Sequence, residues 1–159
     1  MTALLAAGSV WLAPRSRESG DVSTRFHESA ADARCLNRHS MVKLADVFDN
    51  VMPWLSSVGA SAAAADYDND GFADLYVTNS GRSDLNRLFH NENDGTFTDV
   101  TADAGVGCGN PEGASMHAIF GDVDNDGDLD LYVLKWAEAN QLFRNDGGKF
   151  TDVSRDAGV

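Results

Sequence analysis

Short apolar segments separated by polar turns dominate the second two thirds of the chain. Leu75-Tyr76-Val77 and Leu131-Tyr132-Val133 are short and rich in β-branched and aromatic residues, which predicts strands. Both segments are apolar on both faces, so we expect each of these strands to be covered on both sides. In the first part of this region the pattern predicts four strands, at about residues 62–65, 75–78, 87–90 and 96–100.

The same pattern occurs twice. Residues 86–91 (NRLFHN) return as residues 140–145 (NQLFRN), and both copies end in the sequence DAGV, at residues 103–106 and 156–159. The few residues by which the copies differ in length fall in turns, which marks a structural repeat. Each copy therefore predicts a four-stranded antiparallel sheet, and sheets of this length stacked face to face are the blades of a β-propeller.

Two nearly identical acidic loops precede these strands. The first reads DYDNDGFAD and the second DVDNDGDLD. The carboxylates at positions 1, 3, 5 and 9 of such a loop can converge on Ca²⁺, and the main-chain carbonyl at position 7 can add an oxygen. The predicted ligands of two calcium ions are Asp66, Asp68, Asp70, Phe72 (carbonyl) and Asp74, and Asp122, Asp124, Asp126, Asp128 (carbonyl) and Asp130.

A glycine and an asparagine stand where each loop must turn sharply. Gly71 and Gly127 occupy position 6, and a left-handed conformation costs glycine little because it has no Cβ. Asn69 and Asn125 stand beside them, and asparagine tolerates the left-handed region better than most residues.

The residues around the loops exclude an EF-hand. An EF-hand needs a bidentate Glu at position 12 and a helix on each side, whereas position 12 here is Val77 in one copy and Val133 in the other. The loops are therefore predicted to join strands.

The two copies resemble FG-GAP/VCBS-type propeller repeats, whose D-x-D-x-D-G-x-x-D loop is followed by L-Y-V or a similar strand. The ending F-T-D-V…A-G-V, at residues 97–106, resembles the subset found in exported bacterial proteins of the ASPIC/UnbV type and in cartilage acidic protein. The resemblance covers residues 57–159. It implies a calcium-stabilised propeller, used for binding more often than for catalysis, and it carries all the loop positions given above over as calcium ligands.

The predicted fold class is all-β: two four-stranded antiparallel propeller blades in an open arc, preceded by an irregular or partly helical segment. A propeller needs about 4–8 blades, so we expect the arc to belong to a larger propeller and the isolated chain to self-associate through an uncovered apolar face. The expected divisions are 1–19 (a signal-like or irregular apolar segment), 20–56 (a cap or partial blade), 57–106 (first repeat) and 107–159 (second repeat).

Charge and composition narrow the partners and the compartment. The formal net charge is −13, which argues against nucleic acid and against attraction to an anionic membrane. Residues 3–13 form an apolar run too short to span a bilayer, and this run is either a signal-peptide core or an ordinary buried segment. Because weak calcium loops suit extracellular calcium levels, we expect an exported protein, extracellular or periplasmic. Cys35 and Cys108 either pair in a disulfide or remain thiols.

The sequence offers no catalytic motif, and we expect that the chain is not an enzyme. None of its four histidines has the spacing of a metal motif, and His90, whose counterpart is Arg144, is predicted to be a surface strand residue. The predicted function is a calcium-binding propeller segment that presents loops to a protein or glycan, with calcium in a structural role. The alternatives are a purely architectural module, or the non-catalytic part of an exported enzyme such as a polysaccharide lyase or hydrolase.

Overall fold

Two antiparallel sheets account for most of the part of the chain that the computed structural model describes, which comprises residues 30–37, 61–81, 84–111 and 113–159. Sheet 1 has the strand order β1-β2-β3-β4 and sheet 2 the order β5-β6-β7-β8. A one-turn helix follows each sheet. The elements are β1 (Ala62–Ala65), β2 (Asp74–Val77), β3 (Arg87–Asn91), β4 (Phe97–Asp99), α1 (Thr101–Ala104), β5 (Ala114–Gly121), β6 (Asp130–Trp136), β7 (Gln141–Asn145), β8 (Phe150–Asp152) and α2 (Ser154–Ala157).

The strand register confirms the predicted fold class of two four-stranded antiparallel sheets. Leu75 pairs with Phe89 in sheet 1, and their counterparts Leu131 and Phe143 pair in the same way in sheet 2. The strands of sheet 1 begin and end within two residues of the predicted bounds. Strand β5 has eight residues and is longer than its four-residue counterpart β1. A β-bulge between Ser115 and His117 lets the pairing of β5 with β6 continue back to Ala114.

The two helices were not predicted. Each is a single turn that ends at a glycine in the left-handed conformation, Gly105 (φ 83°) or Gly158 (φ 75°). A hydroxyl at the first helical residue ties the turn to the sheet: Thr101 Oγ1 accepts a hydrogen bond from Leu88 N, and Ser154 Oγ accepts one from Leu142 N, each at 2.9 Å. The repeated DAGV sequence therefore encodes a helical turn and its glycine cap.

The two sheets pack face to face. Tyr76 and Leu88 of sheet 1 and Leu131 and Val133 of sheet 2 belong to one buried cluster. The ring of Phe120, on β5, meets the Tyr76 ring edge to face with centroids 6.4 Å apart. This stacking of four-stranded sheets is the arrangement that the repeat pattern predicted.

Sheet 1 is covered on its other face as well. Val77 and Phe89 form a second buried cluster with Cys35, and Phe97 N donates a hydrogen bond of 2.8 Å to Ala33 O. Strand β2 is therefore covered on both sides, as its sequence predicted. Both Cys35 and Cys108 are buried and free, so the two do not pair in a disulfide.

The outer face of sheet 2 is exposed in the part of the chain that the structure describes. Ile119 and Tyr132 are paired neighbours on this face, and Ile119 is 59% exposed. Their counterparts in sheet 1, Ala63 and Tyr76, lie on the face that packs against sheet 2, where Tyr76 is fully buried. The outer face of sheet 2 thus corresponds, position by position, to the interface between the sheets.

A buried asparagine joins the two repeats. The Asn145 amide donates hydrogen bonds to Tyr67 O (2.7 Å) in the first loop and to Leu129 O (3.1 Å) in the second. Its side-chain oxygen accepts a hydrogen bond from Gly148 N at 2.8 Å. These three hydrogen bonds all join the Asn145 side chain to backbone atoms of loops or turns. Asn145 therefore holds the first loop against the turn between β7 and β8.

The N-terminal predictions cannot be compared with this fold. The signal-like segment 1–19, and within 20–56 all but residues 30–37, lie outside the described residues. Within the described ranges, no helix has the length and apolar character needed to cross a membrane.

We predict that Asn145→Ala lowers the free energy of unfolding by about 2 kcal/mol, because it leaves buried backbone groups without a partner. The matched control is Asn91→Ala. Asn91 is the counterpart in sheet 1, but among the described residues its side chain bonds within its own repeat: its amide donates to Ala73 O and its oxygen accepts from Asn93 N. The Asn91→Ala substitution should lower the free energy of unfolding by less than about 1 kcal/mol, measured for both variants by equilibrium urea unfolding. Equal losses for the two variants would contradict the joining role of Asn145.

Candidate metal sites

Each acidic loop curls around the carboxylate at its first position. Asp66 Oδ1 accepts a hydrogen bond from Asp70 N at 3.0 Å, and Asp66 Oδ2 accepts one from Gly71 N at 2.9 Å. Asp70 Oδ1 in turn accepts a hydrogen bond from Phe72 N at 2.8 Å. The second loop repeats every one of these bonds, with Asp122 and Asp126 as acceptors.

The backbone of both loops confirms the expected left-handed turns. Asn69 and Asn125 have φ values of 59° and 62°, and Gly71 and Gly127 have φ values of 95° and 97°. The two loops therefore follow the same path, because residues that tolerate positive φ stand at the same positions in both.

The carboxylate at position 9 has a structural role that the sequence did not reveal. The Asp74 side chain is fully buried and accepts hydrogen bonds from Tyr67 N (3.3 Å) and Asn91 N (2.8 Å). Asp130, 1% exposed, accepts the equivalent bonds from Val123 N and Asn145 N, both at 2.8 Å. Each carboxylate thus holds the beginning of its loop against the end of the third strand of its sheet.

Both loops gather carboxylate oxygens closely enough to hold a metal ion. One oxygen from each of Asp66, Asp68 and Asp70 lies within 4.8 Å of the others, and the same holds for Asp122, Asp124 and Asp130. Asp126 is not in the second group, and the main-chain carbonyls of Phe72 and Asp128 remain predicted ligands. An all-carboxylate group of this kind fits a hard cation.

The predicted ligand at Asp128 is its main-chain carbonyl, and its side chain instead joins the two loops. Its Oδ1 accepts a hydrogen bond from Asn69 Nδ2 of the first loop at 2.8 Å, and its Oδ2 accepts one from Gly147 N at 2.7 Å. A Cβ added to Gly148 would lie 3.4 Å from the Asp68 Cβ. The two loops and the β7–β8 turn therefore form one contiguous acidic edge.

Burial and mutual repulsion raise several pKa values at this edge. Burial raises the pKa of Asp74 against the opposing hydrogen bonds from Asn91 and Tyr67, and the Asp68 charge raises it further. Desolvation, followed by the charges of Asp126 and Asp130, raises the pKa of Asp124. Burial and the charges of the first loop raise the pKa of the Tyr67 phenol to about 12. The edge therefore favours bound positive charge.

His90 is not the plain surface residue that the sequence predicted. Its side chain is 23% exposed, and its Nδ1 lies 3.3 Å from Asp68 Oδ2 and 3.2 Å from Asp74 Oδ1. Together with Asp68 and Asp74, His90 forms a third group that could hold a metal ion. Its sequence separation from the loop hides this contact. In the register of β2 and β3 Leu75 pairs with Phe89, which brings the next residue of β3 close to Asp74, and the sequence carries no local signal of that register.

Comparison with known protein families agrees with this architecture. A family model described as an FG-GAP-like repeat matches residues 66–133, from the first acidic loop into β6. The segment from the first acidic loop into β6 is therefore similar to an FG-GAP-like repeat. Such a repeat indicates a β-propeller-like module, which the two stacked sheets fit. No curated protein matches the chain.

We predict that substitutions of two loop carboxylates change the free energy of unfolding differently when metal is removed with a chelator. Asp130→Asn should lower the free energy of unfolding by about 1–3 kcal/mol, because an amide cannot accept both buried backbone hydrogen bonds. Asp124→Asn should leave it unchanged or raise it. The folded-state pKa of Asp124 lies above its unfolded value, so this group stabilises the fold at low pH and loses that contribution as pH rises through the folded pKa. Urea unfolding at neutral pH measures both variants, and a loss at Asp124 equal to that at Asp130 would contradict the assignment.

Proposed function

We propose that each acidic loop binds one Ca²⁺ and that the ions stabilise a propeller module of an exported protein. The observation that carries the proposal is the repetition of the loop: the same hydrogen bonds, the same left-handed turns and a close group of carboxylates stand at the same place in both repeats. A solvated turn has no need to repeat a set of converging carboxylates.

The chemistry of the loops favours calcium in a structural role. Calcium takes 6–8 oxygen ligands at about 2.3–2.6 Å with flexible geometry, and an exposed loop of carboxylates and carbonyls suits that demand. Two bound ions would bring the formal charge from −13 to about −9 and relieve repulsion within the acidic edge. The loops join strands β1 to β2 and β5 to β6, so an ion there fixes the strand pairs.

The module is proposed to mediate binding to a protein or glycan outside the cytoplasm. Support for export comes from the loop type, because calcium is abundant enough for weak sites mainly outside cells, and from the resemblance of the F-T-D-V…A-G-V ending to VCBS repeats of the ASPIC/UnbV subset. Catalysis is not proposed, since the loop carboxylates are engaged in holding the loops and in the proposed ion sites. A purely architectural module, or a non-catalytic part of an exported enzyme, is the alternative.

The open face of sheet 2 is proposed to pack against a further four-stranded repeat. Ile119, Tyr132 and Leu142 line this face together with Val123 of the second loop. In the first repeat, the corresponding face of Tyr76 and Leu88 is covered by sheet 2. The backbone register is the same in both sheets. A third sheet whose inner face is apolar, like that of sheet 2, would therefore fit against the outer face of sheet 2, as in a larger propeller.

We expect isothermal titration calorimetry of the metal-stripped chain to show two bound calcium ions. Asp70→Ala and Asp126→Ala should each abolish one site and keep the other, because the loops share no ligand. The melting temperature should rise with calcium concentration, since the ion binds the folded loops and not the unfolded chain. No heat at millimolar calcium, or identical melting curves with calcium and with chelator, would overturn the proposal.

A second prediction concerns the open face of sheet 2. In the absence of further repeats, the isolated chain should associate with a second copy through this apolar face. Replacing Ile119 by Lys should shift the chain toward monomer in light scattering. The matched control is Leu36→Lys, because Leu36 is 62% exposed but follows Cys35, which packs on the opposite side of sheet 1. A wild-type chain that stays monomeric at high concentration would contradict the prediction.

A further inference from the structure

The two loops differ in what the third strand of each sheet places beside them. In sheet 1, His90 lies opposite Asp74 and next to Asp68, whereas its counterpart in sheet 2 is Arg144. The Arg144 guanidinium is paired with Asp146, at 3.2 Å from Nε and 2.9 Å from Nη2. Arginine keeps its charge and offers no lone pair, so only the first loop gains a nitrogen ligand.

The distances around His90 fit a bound ion. Its Nδ1 lies 3.2 Å from Asp74 Oδ1 and 3.3 Å from Asp68 Oδ2. Ligands at about 2.0–2.2 Å from one transition-metal ion stand about 3.0–3.5 Å apart when the angle between them is tetrahedral or octahedral. Both oxygens therefore lie at the distance from His90 Nδ1 that neighbours in one coordination sphere have, and one ligand atom from each of the three residues lies within 4.8 Å of the others. His90 Nε2 lies farther away, 3.8 Å from Asp70 Oδ2.

Two atoms of this group are buried without a hydrogen bond. Within the part of the chain that the structure describes, His90 Nδ1 and Asp68 Oδ1 are both shielded from solvent, and neither has a hydrogen-bond partner. A buried polar atom without a hydrogen-bond partner destabilises the fold, because it has lost its hydration without compensation. By contrast, the buried Asp74 carboxylate is oriented by two backbone hydrogen bonds, which fixes the oxygen that faces the imidazole. A metal ion held by the three atoms would satisfy His90 Nδ1, and it would also satisfy Asp68 Oδ1 if that carboxylate, whose Oδ2 faces the imidazole, binds with both oxygens.

The donor set determines the class of ion. Imidazole nitrogen suits zinc, copper, iron and nickel, whereas sets made only of carboxylate, carbonyl and water suit calcium, magnesium and manganese. The group around His90 combines one imidazole with two carboxylates. The group in the second loop, Asp122, Asp124 and Asp130, contains oxygen ligands only.

We propose that the first loop binds a divalent transition-metal ion of the zinc class through His90 Nδ1, Asp68 and Asp74, and that the second loop does not. This inference deepens the proposed function, because Asp68 and Asp74 also belong to the proposed calcium site of the first loop. Zinc and calcium therefore compete for the first loop, while the second loop remains a site for hard cations.

The test is a calorimetric titration of zinc chloride into the metal-stripped full chain in calcium-free buffer. The wild-type chain should bind one zinc ion that His90→Gln binds at least about tenfold more weakly, since losing even a residue that only supports a ligand costs about 10–100-fold in metal affinity. His90→Arg, which installs the residue of the second repeat, should show the same loss. The control is His117→Gln: His117 is exposed and hydrogen-bonded to Ser61, and its replacement should leave the affinity unchanged.

Equal zinc affinities in the wild type and both His90 variants would overturn the inference, as would a wild-type chain that takes up no zinc. The second result is expected if His90 serves only as an imidazolium paired with the two carboxylates. Calcium titration of the same samples separates the two proposals. Calcium binding without zinc binding overturns only this inference, whereas zinc binding lost in the His90 variants without any calcium binding overturns only the proposed function. In the wild type, zinc should displace one calcium ion and leave the other bound.

Discussion

The fold depends on one buried carboxylate in each repeat. Asp74 and Asp130 stand at the boundary between an acidic loop and the second strand of each sheet, and each accepts two backbone hydrogen bonds. Those bonds connect the start of the loop to the end of the third strand, so one side chain at the start of the second strand holds the loop and the third strand together. A buried carboxylate is costly unless it is fully hydrogen-bonded, and here the backbone supplies the donors. The other carboxylates then crowd around a loop whose shape is already fixed.

Stacking of the sheets adds a second constraint, because it brings the loops to one edge. Asn145 bonds to Tyr67 O, and Asp128 accepts a hydrogen bond from Asn69, so the two loops cannot move independently once the apolar faces meet. Charge repulsion along this edge opposes the packing, and it is the apolar cluster of Tyr76, Leu88 and their partners that overcomes it. Bound cations would therefore act on the contact between the sheets as well as on each loop.

Much of this arrangement follows from the sequence because the signals are local. Short apolar segments separated by polar turns locate the strands, and the positions of Asn69 and Gly71 determine the left-handed turns. The one-turn helices escaped prediction because four residues carry too little periodicity to identify a helix. The length of β5 escaped because a bulge, which has no clear sequence signal, extends the pairing. His90 escaped because its approach to the loop depends on the register between strands, and the spacing of metal-binding motifs along one segment does not report such contacts.

The repeats are most informative where they differ. The two sheets have the same strand register, so each position in one sheet has an equivalent in the other. Where the two residues differ, the difference reflects the different surroundings of the two sheets. Ile119, which is bulky and exposed, stands where sheet 1 has the small Ala63. Ala63 lies on the face that sheet 2 covers, whereas Ile119 lies on the exposed face of sheet 2. His90 in the first repeat and Arg144 in the second occupy equivalent positions, and the backbones of the two loops beside them follow the same path. Among the grouped ligands of the two loops, His90 supplies the nitrogen, so a preference of the first loop for transition metals would originate with this imidazole.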